Sequence, residues 1–182
     1  GLIKNYKNMI TMDFKKEDNI VFVIGKTEGH LDQSIFAKDI LSEKKGPPPE
    51  INLFNEKNIG NTLLKLINEN LIQSAHDVSL GGIIVAISKM CIKGNKGIKF
   101  KKFKSLINKF EYLFGEDQGR YIVEISKNNL NKATEMLKNN SVHFDELGIL
   151  KGKDIEVEDK LIFKLEDLKK EYKNWLKKYM IN

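Results

Sequence analysis

Five consecutive apolar residues, Ile20-Val21-Phe22-Val23-Ile24, constrain the fold of this chain more than any other segment. Successive side chains of a β-strand point to opposite faces of the sheet, so an apolar residue at every position predicts a strand that is buried on both faces. Such a strand lies in the middle of a sheet that has a further layer on each side. Residues 19–25 therefore predict a layered domain around a central strand.

The rest of the sequence alternates between strand and helix patterns. We predict further strands at 9–14, at a short segment that ends at Ala75, and at 98–100, 119–126, 141–150 and 154–163. Helix patterns cover 34–41, a long segment capped by Asn52, 83–93, 103–110 and 128–139. A final helix from Leu165 is predicted to dock through a stripe of Leu168, Tyr172, Trp175, Leu176 and Tyr179. Hairpins near both ends favour an α+β fold, a layered α/β/α domain with a mixed sheet, over a doubly wound fold.

Composition and charge bound the class of protein. The chain has 182 residues, enough for one domain with a sizeable core. No apolar run approaches the ~20 residues that span a bilayer, so no membrane partner is predicted. A single cysteine, Cys91, argues against a disulfide framework and favours a cytoplasmic protein. The net charge of +6 suggests nucleic acid, but the lysines are scattered among acids and Arg120 is the only arginine, so no nucleic-acid partner is predicted.

His76, Asp77 and Ser79 stand together in a turn between a predicted strand and a predicted helix, followed by Gly81 and Gly82. Glycines at a helix start permit close backbone approach, and such a turn can bind an anion through free N–H groups or a cation through its carboxylate. The alternative is that Asp77 or Ser79 only caps the helix. The sequence alone leaves both interpretations open.

A second constellation, Gly115-Glu116-Asp117-Gln118-Gly119-Arg120, has the composition of a turn that leads into a strand. Glu116 and Arg120 could bind a metal or a phosphate group, whereas the structural alternative is an arginine–carboxylate pair across the turn. A third segment, Gly25-Lys26-Thr27, resembles the end of a nucleotide-binding P-loop. The first glycine of that motif is absent because position 20 is Ile20, so a P-loop is rejected.

Taken in order, five motifs resemble the carboxy-terminal domain of phosphoribosylformylglycinamidine synthase, a family within the aminoimidazole ribonucleotide synthetase superfamily. The motifs are Val23-Ile24-Gly25-Lys26-Thr27, Gly29-His30-Leu31-Asp32-Gln33-Ser34, Gly46-Pro47-Pro48-Pro49, Ala75-His76-Asp77-Val78-Ser79-Leu80-Gly81-Gly82 and Phe114-Gly115-Glu116-Asp117-Gln118-Gly119-Arg120. The resemblance covers most of the chain. It implies that residues 1–182 form one such domain, the second B domain of a longer synthase, with residues 1–8 as the trailing edge of the domain before it.

The resemblance implies an activity for the whole enzyme. Such synthases convert formylglycinamide ribonucleotide, ATP and glutamine-derived ammonia to formylglycinamidine ribonucleotide, with Mg²⁺ neutralising phosphate charge. The implied partners are the remaining synthase domains, a glutaminase subunit or domain and the nucleotide substrate. No catalytic residue is expected in this chain, which we expect to be inactive alone.

By the same resemblance, Asp77 matches a magnesium-binding aspartate of the first B domain. The residues expected near a nucleotide are His76, Asp77, Ser79, Gly81, Gly82, Glu116 and Arg120, with Asp77 as the metal ligand. Two departures weaken this expectation, since the family usually has glycine at Asp32 and aspartate at Leu80. The alternatives are another ATP-dependent synthetase or kinase of the superfamily, and a non-catalytic interaction module.

Overall fold

A computed structural model describes residues 5–43, 45–102, 107–158 and 161–181 of the chain. Within these ranges one sheet contains seven strands in the order β2-β4-β1-β5-β3-β6-β7. The strands are β1 (Ile20–Ile24), β2 (Ser74–Asp77), β3 (Ile98–Phe100), β4 (Tyr121–Ile125), β5 (Phe144–Leu150), β6 (Ile155–Val157) and β7 (Leu161–Phe163). Neighbouring strands are antiparallel except β3 and β6, which are parallel. The sheet is mixed, as predicted.

Helices cover both faces of the sheet. They are α1 (Ile35–Asp39), α2 (Leu53–Asn68), α3 (Gly82–Gly94), α4 (Lys109–Phe114), α5 (Leu130–Asn139) and α6 (Leu165–Ile181). One core lies between the sheet and helices α2 and α5, and contains Leu66 and Leu137. The other core lies between the sheet, α3, α4 and the start of α6, and contains Ile87, Leu113 and Leu165. The predicted α+β fold with α/β/α layers is confirmed.

Strand β1 is buried on both faces, as its sequence predicts. Val21 and Val23 are fully buried in the core under α3. Phe22 and Ile24 point to the opposite face and are buried in the core under α2. The alternation of one strand between two cores explains why none of these four positions carries a polar residue.

The predicted strand at 9–14 is wrong. Only Thr11 pairs with the sheet, through an isolated parallel bridge to β2. Both edges of β1 are already paired, with β4 and β5, so a hairpin partner has no free edge beside it. The following residues are held instead by the buried carboxylate of Glu124 on β4, which accepts hydrogen bonds from the N–H groups of Lys15 (2.8 Å) and Lys16 (3.0 Å).

The prediction that the final helix docks along its whole apolar stripe is also wrong. Leu165 is buried and Leu168 packs against the core under α3. Farther along α6, Trp175 is 57% exposed and Tyr179 is 75% exposed. A helix of 17 residues is about 25 Å long, and the residues of α6 that pack in the core, Leu165 and Leu168, both lie in its first turn.

Other predicted elements are confirmed with shifted bounds. The segment 154–163 divides into β6 and β7, and α5 is preceded by a 3₁₀ turn at Lys127–Asn129. The proline segment 46–49 contains neither helix nor strand. Of the helix predicted at 103–110, residues 103–106 lie outside the described residues.

Helix α4 begins at Lys109 instead. Its start is set by Asn108, whose side chain accepts a hydrogen bond from the N–H of Glu111 at 3.0 Å, while the Glu111 carboxylate accepts from the Asn108 N–H at 3.1 Å. This reciprocal pair satisfies two N–H groups at the helix end. None of the helices in the described ranges combines the length and the hydropathy needed to cross a bilayer.

Candidate functional site

The turn between β2 and α3 depends on two glycines. Gly81 has φ of 85° and Gly82 has φ of 69°, a region that side-chain-bearing residues rarely adopt. A Cβ atom on Gly81 would lie 2.4 Å from Cγ2 of Val85, and one on Gly82 would lie 2.7 Å from the carbonyl oxygen of Gly115. The turn is therefore compact, and it brings the start of α3 against residues 113–115.

The alternative interpretation of this turn, in which Asp77 or Ser79 caps α3, is wrong. The residue at the cap position is Gly81, which has no side chain to accept a hydrogen bond. The acceptor comes from far away in the sequence, because Oε1 of Glu116 accepts from the Gly81 N–H at 2.8 Å. The same oxygen accepts from the N–H of Ile35, the first residue of α1, at 2.9 Å. One carboxylate thus joins the starts of two helices.

Asp117, which is not among the predicted site residues, organises the loop after β1. Its Oδ2 accepts hydrogen bonds from the N–H groups of Glu28 and Gly29, both at 3.1 Å, and its Oδ1 accepts from the N–H of His30 at 3.0 Å. The Asp117 side chain is only 8% exposed. Three successive N–H groups around one carboxylate form a closed anion nest within the protein.

Arg120 is fully buried, and all three of its guanidinium nitrogens make contacts inside this loop. Nη2 donates to the carbonyl oxygen of Gly115 at 2.6 Å, Nε donates to that of Asp117 at 3.2 Å, and Nη1 donates to Oγ1 of Thr27 at 3.3 Å. Nη1 also lies 3.4 Å from Oδ2 of Asp117. Burial lowers the pKa of Arg120, and the Asp117 carboxylate opposes that effect. The predicted arginine–carboxylate pair across the turn is present, with Asp117 as its partner.

A cavity of about 340 Å³ lies between the β2–α3 turn and the loop 115–120. It is lined by Glu56, Asp77, Val78, Ser79, Leu80, Glu116, Gln118, Gly119, Arg120 and Tyr121. Four of the predicted site residues, Asp77, Ser79, Glu116 and Arg120, therefore lie around one space. Gly81 and Gly82 shape the turn behind it without lining it. Leu80, at the position where the family usually has aspartate, is 65% exposed beside the cavity.

His76 does not line this cavity. It is half-buried on β2, and its Nδ1 lies 3.0 Å from Oδ1 of Asp77. Its Nε2 atom is buried without a hydrogen-bond partner among the described residues. The contact orients the Asp77 carboxylate, whose side chain is 60% exposed.

The described residues do not by themselves fit Mg²⁺ or the phosphates of ATP. Magnesium requires about six oxygen ligands, and the described ranges contain no group of three His, Cys, Asp or Glu residues that could hold a metal ion. The cavity lining carries three carboxylates, Glu56, Asp77 and Glu116, against one buried cation, Arg120. The N–H group of Gly81, which could bind a phosphate at the start of α3, already donates to Glu116.

A second cavity of about 560 Å³ adjoins the first and shares Glu56, Gln118 and Gly119 with it. The proline segment 47–49 forms one wall. That segment is held by His30, whose Nε2 lies 3.0 Å from the carbonyl oxygen of Pro47. The motifs around residue 30 and in the proline segment, which are separate in the sequence, are therefore in contact.

Comparisons with known proteins agree with this fold. The sequence profile of the family "AIR synthase related protein, C-terminal domain" matches residues 16–160. The chain is 66% identical over 182 residues to the phosphoribosylformylglycinamidine synthase subunit PurL of Pelagibacter ubique. The alignment covers 100% of this chain and 25% of that protein. The chain thus spans about a quarter of the length of this relative.

Solved structures with low sequence identity show the same fold. T. maritima PurL complexed with FGAR superposes with a TM-score of 0.74 at 17% identity, covering 90% of this chain and 30% of the other. T. maritima PurL complexed with ATP superposes with a TM-score of 0.67 at 16% identity, covering 90% of this chain and 27% of the other.

Proposed function

Because the chain belongs to the C-terminal-domain family of AIR synthase related proteins, we propose that residues 1–182 form one domain of a phosphoribosylformylglycinamidine synthase. The observation that carries the proposal is the 66% identity to a PurL subunit along the whole chain. The complete enzyme would convert formylglycinamide ribonucleotide, ATP and ammonia from a glutaminase partner to formylglycinamidine ribonucleotide in the cytoplasm. Its ATP and Mg²⁺ would require ligands from the remaining domains.

In this proposal the chain supplies one wall of an interdomain site. The cavity between the β2–α3 turn and the loop 115–120 contains side chains with no hydrogen-bond partner among the described residues, namely Ser79 and Gln118. The half-exposed carboxylate of Asp77 faces the same space. Hydroxyl, amide and carboxylate groups can bind a polar ligand, but no nucleophile or general base is paired for catalysis here. The chain would therefore position and enclose rather than catalyse.

The proposal is tested by measuring ATP-dependent turnover of the full-length protein, of this chain alone and of the remainder alone. We expect the full-length protein that contains this chain to form formylglycinamidine ribonucleotide from ATP, formylglycinamide ribonucleotide and ammonium. The 182-residue chain alone should show no ATP-dependent turnover, and neither should the remainder alone. Turnover by the purified chain without the remainder would refute the proposed division of labour.

A matched pair of variants in the full-length protein tests the role of the cavity. Asp77→Asn should weaken ATP binding or raise the KM for ATP, because it removes the exposed carboxylate that could accept hydrogen bonds from neutral hydroxyl or amino groups of the nucleotide in the cavity. Asp39→Asn removes an exposed carboxylate on α1, which does not line the cavity, and should leave the same constants unchanged. Equal effects of the two substitutions would contradict an interdomain site at this turn.

A further inference from the structure

One carboxylate oxygen, Oε1 of Glu116, lies where a bound anion would otherwise sit. It accepts the N–H of Gly81 at 2.8 Å and the N–H of Ile35 at 2.9 Å. The partners are 35 and 81 residues away in the sequence, so the contact joins three separate segments of the chain. The side chain also forms part of the wall of the 340 Å³ cavity.

The start of α3 needs such an acceptor. A helix of 13 residues carries partial positive charge and unpaired N–H groups at its N-terminus, and it is stabilised by an anion placed there. In many proteins that anion is a ligand phosphate. Here Gly81 offers no capping side chain, and Glu116 supplies the negative charge from within the protein.

The backbone around Glu116 is fixed in place. Its own N–H donates to the carbonyl oxygen of His30 at 2.8 Å. The carbonyl oxygen of the preceding Gly115 accepts from Arg120 at 2.6 Å. The carboxylate is therefore held at the helix start by contacts on both sides of its peptide unit, and a ligand phosphate could reach Gly81 only by displacing it.

We propose that Glu116 is a built-in anion and a positioning residue, which holds the β2–α3 turn against α1 and excludes phosphate from the N–H group of Gly81 at the start of α3. The ligand group that enters the cavity is then neutral or cationic, because Glu56 and Asp77 add further negative charge to the lining. The contacts of Glu116 lie within the chain, so its role does not depend on the proposed synthase activity.

The test measures hydrogen–deuterium exchange of single backbone amides in the intact protein. Glu116→Ala should speed exchange at Gly81 and Ile35 by roughly tenfold to a hundredfold, the range expected for losing a hydrogen bond to a charged group. Glu56→Ala removes a carboxylate from the same cavity that has no hydrogen-bond partner among the described residues, and should change neither amide. Unchanged exchange at both amides in Glu116→Ala would overturn the proposal.

Adding small anions to Glu116→Ala distinguishes loss of a bound negative charge at Gly81 from a general loosening of the fold. Sodium formate or inorganic phosphate, compared with chloride at equal ionic strength, should restore protection at Gly81 in Glu116→Ala and have no effect on the wild type. Glu116→Gln keeps an oxygen acceptor, so it should retain most of the protection and show no rescue. Protection of the wild type by phosphate, or equal responses to formate and chloride in Glu116→Ala, would overturn the proposal.

A shorter side chain keeps the test decisive if Glu116→Ala does not fold. Glu116→Asp preserves the charge but is one methylene shorter, so it should lose at least one of the two amide contacts. Full protection at both Gly81 and Ile35 in this variant would show that the fixed carboxylate geometry is not what holds the turn.

Discussion

Replacing Arg120 by methionine tests whether this arginine is a structural element or a ligand-binding group. The substitution keeps a long, unbranched side chain and removes the guanidinium. It eliminates hydrogen bonds to the carbonyl oxygens of Gly115 and Asp117 and to Oγ1 of Thr27, together with the ion pair to Asp117. Since Arg120 is only 1% exposed, water cannot readily replace the lost donors.

The magnitude follows from two opposing effects. Three hydrogen bonds to a charged donor at ~1.5–3 kcal/mol each give an upper range of ~5–9 kcal/mol. Removing the guanidinium also relieves its desolvation, which is the main cause of the lowered pKa of Arg120. Asp117 keeps its three backbone N–H donors, but its buried negative charge loses the guanidinium as its counter-charge. We expect the free energy of unfolding to fall by ~3–5 kcal/mol, the range for breaking a buried ion pair.

The assay is urea unfolding followed by far-ultraviolet circular dichroism, with the midpoint and slope compared between variants. In thermal unfolding, the same loss corresponds to a fall in Tm of roughly 6–20 °C. Lys26→Met is the matched control, because its side chain is 70% exposed and solvent screens its ion pair with Glu28, so its loss should change stability little. If Arg120→Met lowers the free energy of unfolding by less than ~1 kcal/mol, the structural role of Arg120 is refuted and a role in ligand binding is favoured.

Three further outcomes are expected. The thiol of Cys91 is fully buried and burial raises its pKa, so a thiol reagent should label it only as fast as the chain unfolds; rapid labelling of native protein would contradict the described core. Trp175 is 57% exposed and is the only tryptophan, so acrylamide should quench the emission of the isolated chain efficiently; a blue-shifted, protected emission would place α6 in contact with another surface. Lys164 and the N–H of Leu165 lower the pKa of Asp154 below its ordinary value of 3.8. The ionised carboxylate therefore stabilises the fold at pH values above 3.8, and this stabilisation is lost as the pH falls through the lowered pKa of the folded state. Asp154→Asn should abolish that acid-dependent loosening at the start of α6, measured by amide exchange at Leu165, whereas an unchanged acid response would exclude this carboxylate.

Sequence patterns predict a helix or strand correctly where its burial or its first residue depends only on the residues of that element and its immediate neighbours. The apolar run of β1 predicts burial on both faces because strand side chains alternate, and Asn52 predicts the start of α2 because a capping amide needs only the next turn; its Oδ1 accepts the Asn55 N–H at 3.0 Å. The apolar stripe of α6 does not predict docking correctly, because docking depends on a second surface and not on the residues of the helix alone. Spacing shows that residues such as Trp175 and Tyr179 share a face, but not whether another surface covers that face.

The contacts that build the site are nonlocal, and spacing does not reveal them. Ser79 and Asp77 were reasonable candidates to cap α3, yet the acceptor is Glu116, 35 residues farther along the chain. The sequence does not identify Asp117 as a site residue, because nothing near it in the chain shows that it accepts three N–H groups from the loop after β1. The only sequence feature that hints at this contact is the glycine at position 29. In the structure Gly29 has φ of 80°, which suits a backbone that folds around an anion.

Calorimetric titration of the chain with ADP and Mg²⁺ tests most directly the central claim that this cavity is one wall of a shared site. The folded 182-residue chain should give no saturable heat of binding, because its ligand groups are incomplete and Glu116 occupies the helix start. The full-length protein should bind ADP and Mg²⁺, and Asp77→Asn should weaken that binding. Saturable binding by the isolated chain, abolished by Asp77→Asn, would contradict the account and show a complete nucleotide site within this domain.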